Sequence, residues 1–209
     1  LLDGDLGPNT GGMGAYSPAP VVTATVHQRA MQEIILPTVR GMAAEGHPYR
    51  GFLYAGLMIA PDGAVRALEF NCRLGDPEAQ PILYRLQSDF VDLLESAIAG
   101  RLDGTHAQWD QRIAIGVVLA AAGYPDTPHT GDVIHGLPAY GNGTADGTMV
   151  FHAGTVSKDG QTLSSGGRIL CVTTLGDTVA EAREKVYGAV SAIDFRGMQW
   201  RRDIGYRAL

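Results

Sequence analysis

The feature that most constrains the fold is a pair of apolar segments on either side of a tight-turn sequence, Pro61-Asp62-Gly63. These three residue types favour a reversal of the chain, so Gly51 to Ile59 and Ala64 to Asn71 are predicted to form a β-hairpin. The first segment is apolar enough to indicate a buried strand. In the second, polar and apolar residues alternate, which predicts a strand with one packed and one polar face.

Glu69 and Asn71 occupy alternate positions of the second strand, so we expect their side chains on one face, about 6.6 Å apart along the strand. A carboxylate beside an amide oxygen suits magnesium, which prefers hard oxygen ligands and takes the rest of its octahedron from water and phosphates. The same spacing is also typical of an ordinary solvent-exposed face, with Leu68 and Phe70 packed on the other side. Spacing alone favours this second interpretation.

Three charged residues, Arg73, Asp76 and Glu78, follow in the loop that leaves this strand. Loops held by a rigid strand often carry binding residues. The guanidinium of Arg73 suits a carboxylate or phosphate, and the two acidic side chains suit an amine or a second metal. The alternative is a surface pair between Arg73 and Asp76, with Asp76 also serving as the N-cap of a helix that begins near Pro77.

A glycine- and proline-rich segment, Gly7 to Pro20, is predicted to be a loop. Within it, the run Asn9-Thr10-Gly11-Gly12-Met13-Gly14 can present several backbone N–H groups to an anion. Glycine-rich loops without a ligand are also common, so this run does not establish a site by itself.

Periodicity and punctuation predict the remaining elements. The helices are Val26 to Met42 with a kink or division at Pro37, one that follows the Cys72 to Gln80 loop, Asp89 to Ala99 capped by Ser88, and Val179 to Ile193 with a capping box of Thr178 and Glu181. The strands are Ile113 to Ala121, Asp132 to His135, Val150 to Ala153 and Arg168 to Thr174. A polar, aperiodic segment near residues 101–111 predicts a boundary between domains of residues 1–105 and 106–209.

Composition argues against several classes of function. Lys+Arg 16 against Asp+Glu 22 gives a net charge of −6, which disfavours a nucleic-acid binder with a broad basic surface. The two lysines, Lys158 and Lys185, do not lie in a P-loop pattern, and neither H-E-x-x-H nor G-x-S-x-G occurs. Cys72 and Cys171 are predicted to be reduced, buried thiols. Without a membrane-spanning segment or a leader, a cytoplasmic protein with no membrane partner is expected.

The chain resembles the glycinamide ribonucleotide synthetase family of the ATP-grasp superfamily in two blocks, DGDLGPNTGGMGAYSP from Asp3 and LEFNCRLGDPEAQP from Leu68. The later segments TGDVIHGL, FHAGT and GGRILCVTTLG resemble the C-terminal domain of that family, so essentially the whole chain is covered. The resemblance implies an α+β fold. It consists of the C-terminal part of an ATP-grasp domain, with an antiparallel sheet and helices, followed by a small β-rich domain.

The resemblance also implies a reaction, the ligation of glycine to 5-phosphoribosylamine in de novo purine synthesis. ATP is the cosubstrate, glycyl phosphate is the intermediate, and Mg²⁺ or Mn²⁺ is bound by Glu69 and Asn71. We assign Arg73 and Asp76 as catalytic residues. As a hypothesis, the pocket for glycine and phosphoribosylamine contains Asp5, Asn9, Thr10, Gly11, Gly12, Met13, Arg73, Asp76 and Glu78.

Members of this family are about twice as long, and their earlier half carries a lid that clamps ATP with lysines. Because Lys158 and Lys185 both lie in the C-terminal domain, we expect this chain to begin inside a larger protein and to be inactive without the missing half. Two alternatives stay open. One is a non-catalytic binding or assembly module that keeps the fold, and the other is a different ATP-grasp carboxylate–amine ligase.

Overall fold

The computed structural model describes residues 1–138, 143–144 and 146–209 of the chain. These residues form two compact units. Unit 1 contains Leu1–Ser17, Asp76–Arg85 and Asp110–Leu209, and unit 2 contains Pro18–Gly75 and Leu86–Trp109. The units are therefore discontinuous in sequence, and the division of the chain into residues 1–105 and 106–209 stays a prediction.

The described elements combine antiparallel strands with a few helices, as expected for an α+β fold. In chain order the strands are β1 (Gly14–Ser17), β2 (Tyr54–Ile59), β3 (Val65–Asn71), β4 (Ile113–Ala120), β5 (Met149–His152), β6 (Thr155–Lys158), β7 (Gln161–Ser164) and β8 (Arg168–Gly176). The helices are α1 (Ala24–Arg29), α2 (Leu36–Ala44), α3 (Ala79–Tyr84), α4 (Phe90–Ile98) and α5 (Val179–Ser191). None of the helices in the described part of the chain is long and apolar enough to cross a membrane.

Unit 1 is built on a four-stranded antiparallel sheet with the order β1-β4-β8-β5. The central strands β4 and β8 are buried along almost their whole length, because both faces of the sheet are covered. On one face, Ile115, Val117 and Leu119 of β4 pack in a core with α5. On the other face, Val118 of β4 packs in a second core that includes Met13, which precedes β1.

Helix α5 follows the predicted pattern closely. The hydroxyl of Thr178 accepts a hydrogen bond from the backbone N–H of Glu181 at 3.1 Å, which satisfies one of the donors that a helix N-terminus leaves free. The buried residues of the helix are spaced at three and four positions: Val179, Ala182, Val186 and Val190. This face is the one predicted from the sequence.

Two predictions for unit 1 were wrong. Residues 132–135, all described, do not form a strand; Val133 and His135 make only isolated bridges, to Leu163 and Asp194. The predicted loop Gly7 to Pro20 contains β1, which pairs with β4 through Gly14 and Val117. The hairpin of β6 and β7 was not predicted at all.

Unit 2 contains the hairpin of β2 and β3 and a long helical segment. A π-helical stretch, Ala30–Ile35, joins α1 to α2 directly before Pro37, so the helix is divided where proline was expected to divide it. Helix α4 is capped by Asp89, whose carboxylate accepts from Val91 N, and not by Ser88 as predicted. The hydroxyl of Ser88 instead accepts from the backbone N–H of Gln108.

The hairpin of unit 2 is less buried than predicted. Strand β2 begins at Tyr54, three residues later than expected, and is only partly buried. A bulge opposite the step from Gly56 to Leu57 leaves Leu68 as an extra residue in β3. Leu68 and Phe70, expected on the packed face, are 65% and 42% exposed.

Candidate functional site

The side chains of Glu69 and Asn71 meet on one face of β3 in unit 2, as their alternate positions predicted. Oε1 of Glu69 lies 3.2 Å from Nδ2 of Asn71, which donates to it. Glu69 pairs across the hairpin with Gly56, and a Cβ at residue 56 would lie 3.1 Å from Cγ of Glu69. The missing side chain of Gly56 therefore gives the Glu69 side chain room to lie over the neighbouring strand.

This pair fits a magnesium or manganese ion by its donor atoms. The oxygen and nitrogen of an asparagine amide exchange places on rotation, so Asn71 can turn its oxygen toward the same point as Glu69. The pair then offers two hard oxygens, a set that Mg²⁺ completes with water and phosphate. In the described part of the chain, no three His, Cys, Asp or Glu side chains are grouped so that they could hold a metal. The described residues therefore do not form a closed metal site made only of His, Cys, Asp and Glu side chains.

Arg73 is an exposed residue that follows Glu69 and Asn71, in the loop that ends the first segment of unit 2. Its guanidinium donates to the backbone carbonyl of Leu74 at 2.8 Å, which holds the side chain along its own loop. The neighbouring Cys72 is exposed, whereas it was expected to be buried. Cys171 is buried as expected, and this burial raises the pKa of its thiol to about 11.

The glycine-rich loop, residues 9–13, lies in unit 1 and is held by a side chain that the sequence analysis did not select. Arg168, the first residue of β8, donates from Nη1 to the carbonyls of Gly11 at 2.8 Å and Gly12 at 3.2 Å. The hydroxyl of Tyr124 accepts from Gly11 N at 3.3 Å, and the hydroxyl of Thr10 accepts from Gly12 N. The conformation of the loop is therefore held partly by residues more than 100 positions away in the sequence.

The residues of this loop differ in their exposure. Asn9 is exposed and Thr10 is partly buried. Met13 is 4% exposed and packs against Val118 and Cys171. The side chain of Met13 is thus part of the core of unit 1, whereas the side chains of Asn9 and Thr10 are accessible to solvent.

Asp76 also contacts Arg168. Its Oδ2 lies 2.7 Å from Nη2 of the arginine, and its backbone carbonyl accepts from Nη1 at 2.9 Å. The alternative in which Asp76 caps a helix is wrong, because α3 begins at Ala79 with Glu78 in the N-cap position and no side-chain cap. The structure thus joins Asp76 to the glycine-rich loop through one arginine, with Glu78 partly buried at the start of the next helix.

Asp5 lies in a tight turn whose side chains pair with the C-terminal segment of unit 1. Its carboxylate accepts from Arg201 at 2.9 Å, from Tyr206 at 3.0 Å and from Arg207 at 2.5 Å. The hydrogen bond from Arg201 is the main cause of a lowered pKa of the Asp5 carboxyl group. Asp5 therefore serves to anchor the turn, and its charge is already paired.

The same C-terminal segment fixes the turn through Asp203. Oδ1 and Oδ2 of Asp203 accept from Arg201 at 2.7 and 2.8 Å, and Oδ2 also accepts from Gly4 N at 2.7 Å. These bonds hold the pKa of Asp203 far below its usual range, with the Arg201 guanidinium the principal cause. The pair is mostly buried, with Arg201 15% and Asp203 21% exposed.

A cavity of about 390 Å³ lies between the glycine-rich loop and this anchored turn, within unit 1. Its walls are residues 5–10 and 12–14 with Leu1, Arg201 and Ile204. The volume falls in the range of pockets for small ligands, about 300–1,000 Å³. Of the residues assigned to the substrate pocket, Asp5, Asn9, Thr10, Gly12 and Met13 line this cavity. Gly11, Arg73, Asp76 and Glu78 do not line it, and Glu69, Asn71 and Arg73 belong to unit 2.

Sequence reasoning missed the arginines that hold these loops. Arg168 follows two glycines at the start of a strand, where its role is not visible in a local pattern. The C-terminal run RRDIGYRAL did carry a signal, because it contains three of the sixteen basic residues within seven positions beside an aspartate. Such a cluster is typical of an ion-pair network.

Comparison with known proteins finds two domain families along the chain. Residues 1–79 match the phosphoribosylglycinamide synthetase ATP-grasp (A) domain, and residues 114–207 match the phosphoribosylglycinamide synthetase C domain. Phosphoribosylglycinamide is another name for glycinamide ribonucleotide. The two parts of the chain therefore match two domains of one enzyme family.

Similar curated proteins are named phosphoribosylamine–glycine ligase. Those of Ralstonia nicotianae and Neisseria meningitidis are each 60% identical to this chain and cover all of it, and the chain covers 49% of each relative. The chain thus spans about half the length of the curated relatives it matches.

Solved structures give the same result. The crystal structure of phosphoribosylamine–glycine ligase from Thermotoga maritima has a TM-score of 0.81 and 38% identity, over 98% of this chain and 49% of that one. A biotin carboxylase domain from Hydrogenobacter thermophilus has a TM-score of 0.59 and 18% identity, over 90% of this chain and 40% of that one. At that identity the second likeness shows the fold alone, and the predicted ATP-grasp fold is confirmed.

Proposed function

The chain belongs to the phosphoribosylglycinamide synthetase family, and from this premise we propose that it supplies the metal-binding and substrate-binding half of a phosphoribosylamine–glycine ligase. The observation that carries the proposal is the contact of Glu69 with Asn71, within the part of the chain that matches the ATP-grasp domain. The reaction joins glycine to 5-phosphoribosylamine and cleaves ATP to ADP and phosphate.

Glu69 and Asn71 are the residues that would hold Mg²⁺ or Mn²⁺. When bound, the divalent cation supplies charge neutralisation at the phosphate oxygens of the nucleotide. The protein's part is to place two oxygens on one rigid face of β3, so that the position of the charge is fixed before reaction.

The two steps of the ligation need no nucleophilic side chain. The glycine carboxylate attacks the γ-phosphorus of ATP, which forms glycyl phosphate and releases ADP. The amine of 5-phosphoribosylamine then attacks the acyl carbon, phosphate leaves and the nitrogen loses a proton. Both nucleophiles belong to substrates, so the task of the protein is to orient them and to stabilise charge.

We assign the polar residues by their charge. Arg73 is exposed and its planar fork suits a substrate carboxylate or phosphate. Asp76 uses Oδ2 for Arg168, which leaves Oδ1 to accept from a substrate amine, and Glu78 supports the same role. The cavity beside Asn9 and Thr10 is of a size that admits one small polar substrate.

The nucleotide clamp is assigned to the other half of the enzyme. Both lysines of this chain lie in the part that matches the C domain, and Lys185 is engaged with Glu181 at 2.6 Å. The chain therefore has no lysine in its ATP-grasp part to hold the nucleotide, and we propose that it is inactive alone. We place the complete activity in the cytoplasm, where the soluble substrates are made and used.

The test joins this chain to the other half of the Ralstonia nicotianae relative, in place of the matching half. We expect formation of glycinamide ribonucleotide and ADP that depends on glycine, 5-phosphoribosylamine and Mg²⁺, and no turnover from the 209-residue chain alone. A joined protein that folds and binds ATP but makes no product contradicts the ligase proposal and favours a non-catalytic module. Product with bicarbonate instead of glycine identifies a different ATP-grasp ligase.

A further inference from the structure

Arg168 is the point where three separate stretches of unit 1 meet. Its side chain starts at the first residue of β8 and makes four hydrogen bonds, to the carbonyls of Gly11, Gly12 and Asp76 and to the carboxylate of Asp76. Their lengths are between 2.7 and 3.2 Å. These partners lie 92 and more positions from Arg168 in the sequence.

The glycine-rich loop is shaped to receive this guanidinium. A Cβ on Gly11 would lie 3.2 Å from both Cζ and Nη2 of Arg168, so any side chain at residue 11 would crowd the arginine. Gly12 has a φ of +110°, a conformation in which its carbonyl also faces Nη1. The arginine side chain is itself only 20% exposed, which strengthens its hydrogen bonds relative to those of a fully solvated group.

We propose that Arg168 is a positioning residue of the substrate site. Because a peptide group is planar, fixing the carbonyls of Gly11 and Gly12 also fixes the direction of the N–H groups of Gly12 and Met13. The same guanidinium occupies Oδ2 of Asp76 and so decides where Oδ1 points. Arg168 thus orients the loop and the carboxylate together without touching a substrate. The effect on catalysis rests on the function proposed above, whereas the effect on the loop does not.

An arginine is needed here for geometric reasons. Two nitrogens of one planar fork reach three carbonyls and one carboxylate oxygen at the same time. A lysine ammonium carries the charge but is a single point with three donors, so it can keep the contact with Asp76 and lose part of the contact with the loop. The difference between Arg168→Lys and Arg168→Ala therefore separates orientation from charge.

The first experiment measures amide hydrogen exchange in the 209-residue chain. We expect Arg168→Ala to speed exchange at Gly11, Gly12 and Met13 by about tenfold or more, and to leave the exchange of the β4 amides unchanged. The exchange rates of Arg168→Lys should lie between those of the parent chain and those of Arg168→Ala. Arg112→Ala is the matched control, because it removes another ion-pair arginine of unit 1 and leaves the loop alone. If Arg168→Ala does not fold, Arg168→Gln replaces it. Unchanged exchange at the loop in a folded variant overturns the proposal.

The second experiment measures steady-state kinetics in the joined protein described above. We expect Arg168→Ala to lower kcat/KM for glycine or 5-phosphoribosylamine by about 100-fold, because small displacements of positioning groups have effects of this size. The KM for ATP should change less than about twofold, and added guanidinium should restore part of the activity. Equal loss for all three substrates, or no loss, overturns the catalytic part. If the parent protein makes no product, the ligase proposal fails, and the exchange experiment still decides the role of Arg168.

Discussion

A Cβ added to Gly12 would lie 2.5 Å from Cδ of Pro77, so the glycine-rich loop passes this proline only because residue 12 has no side chain. Gly12 also has a φ of +110°, which residues with a Cβ rarely adopt. Pro77 is buried and directly follows Asp76, the carboxylate that Arg168 orients. The contact therefore couples the loop to the acidic residue assigned to the substrate.

We expect Gly12→Ala to lower the free energy of unfolding of unit 1 by about 3 kcal/mol, from backbone strain together with overpacking. The measurement is urea unfolding followed by the fluorescence of Trp200, in a Trp109→Phe background, because Trp200 belongs to unit 1 and Trp109 to unit 2. The slope of the free energy of unfolding against urea concentration should be unchanged, since the surface exposed on unfolding is the same.

The matched control is Gly131→Ala. Gly131 has a similar positive φ of +89° but open space where the Cβ would go, so its variant carries the backbone cost alone, about 1 kcal/mol. Equal losses in the two variants would show that contact with Pro77 contributes nothing.

Local sequence patterns were sufficient to predict the elements that are stabilised by neighbouring residues. Helix α5 follows from its cap and from apolar residues at three- and four-residue spacing, and the β2–β3 hairpin follows from its turn. Strand β1 was missed because its partner Val117 lies about 100 positions from Gly14, and its four residues GAYS have no strand pattern of their own. The β6–β7 hairpin did carry an Asp159-Gly160 turn signal that sequence analysis could have used.

In the candidate site, too, contacts between neighbouring residues were predicted and contacts with distant residues were not. Glu69 and Asn71 were placed together by strand alternation, a property of the local chain, and the structure brings their polar atoms to 3.2 Å. A helix cap was the alternative considered for Asp76 because local patterns involve only neighbouring residues, whereas the structure pairs its side chain with Arg168. The exposure of Leu68 depends on a bulge, which the alternation of polar and apolar residues in β3 does not predict.

Unit 1 should lose stability in acid through Asp110. The guanidinium of Arg112 bonds to this carboxylate and lowers its pKa from 3.8 to about 2. Because the folded pKa is the lower one, the contribution is complete above about pH 4 and disappears as the pH falls toward 2. We expect Asp110→Asn to cost about 1 kcal/mol at pH 7 and progressively less between pH 4 and pH 2.

Urea midpoints measured from pH 7 down to pH 2.5 check this dependence. Asp126→Asn, at an exposed position of the same unit, is the control and should run parallel to the parent protein throughout. A gap between Asp110→Asn and the parent that stays constant over this range would contradict the assignment.

The ion pair of Arg201 with Asp203 should be worth more than a surface pair, because both side chains are mostly buried. Arg201→Ala leaves Asp203 and Asp5 without their shared guanidinium, and we expect a loss of about 3 kcal/mol. The double variant Arg201→Ala/Asp203→Ala should lose clearly less than the sum of the two single variants, since the second change removes the charge that the first left unpaired.

The neighbouring Arg202 provides the control for this comparison of single and double variants. Its side chain lies over the ring of Trp200 at 5.7 Å, and Arg202→Ala should cost no more than about 1 kcal/mol. Strictly additive losses for Arg201 and Asp203 would mean that the two side chains stabilise the fold independently.

The proposed metal site gives the most direct test of the proposed reaction. In the joined protein, Glu69→Ala should lower kcat by about 100-fold or more and raise the Mg²⁺ concentration needed for half-maximal rate, because one of two protein oxygens is lost. Asn71→Asp keeps an oxygen at its position and should retain more activity than Asn71→Ala. Glu95→Ala removes another exposed carboxylate of unit 2, on α4, and should leave the Mg²⁺ dependence unchanged. Glu69→Ala with the parent rate and the parent Mg²⁺ dependence, in a protein of unchanged Tm, would remove Glu69 and Asn71 from the metal site.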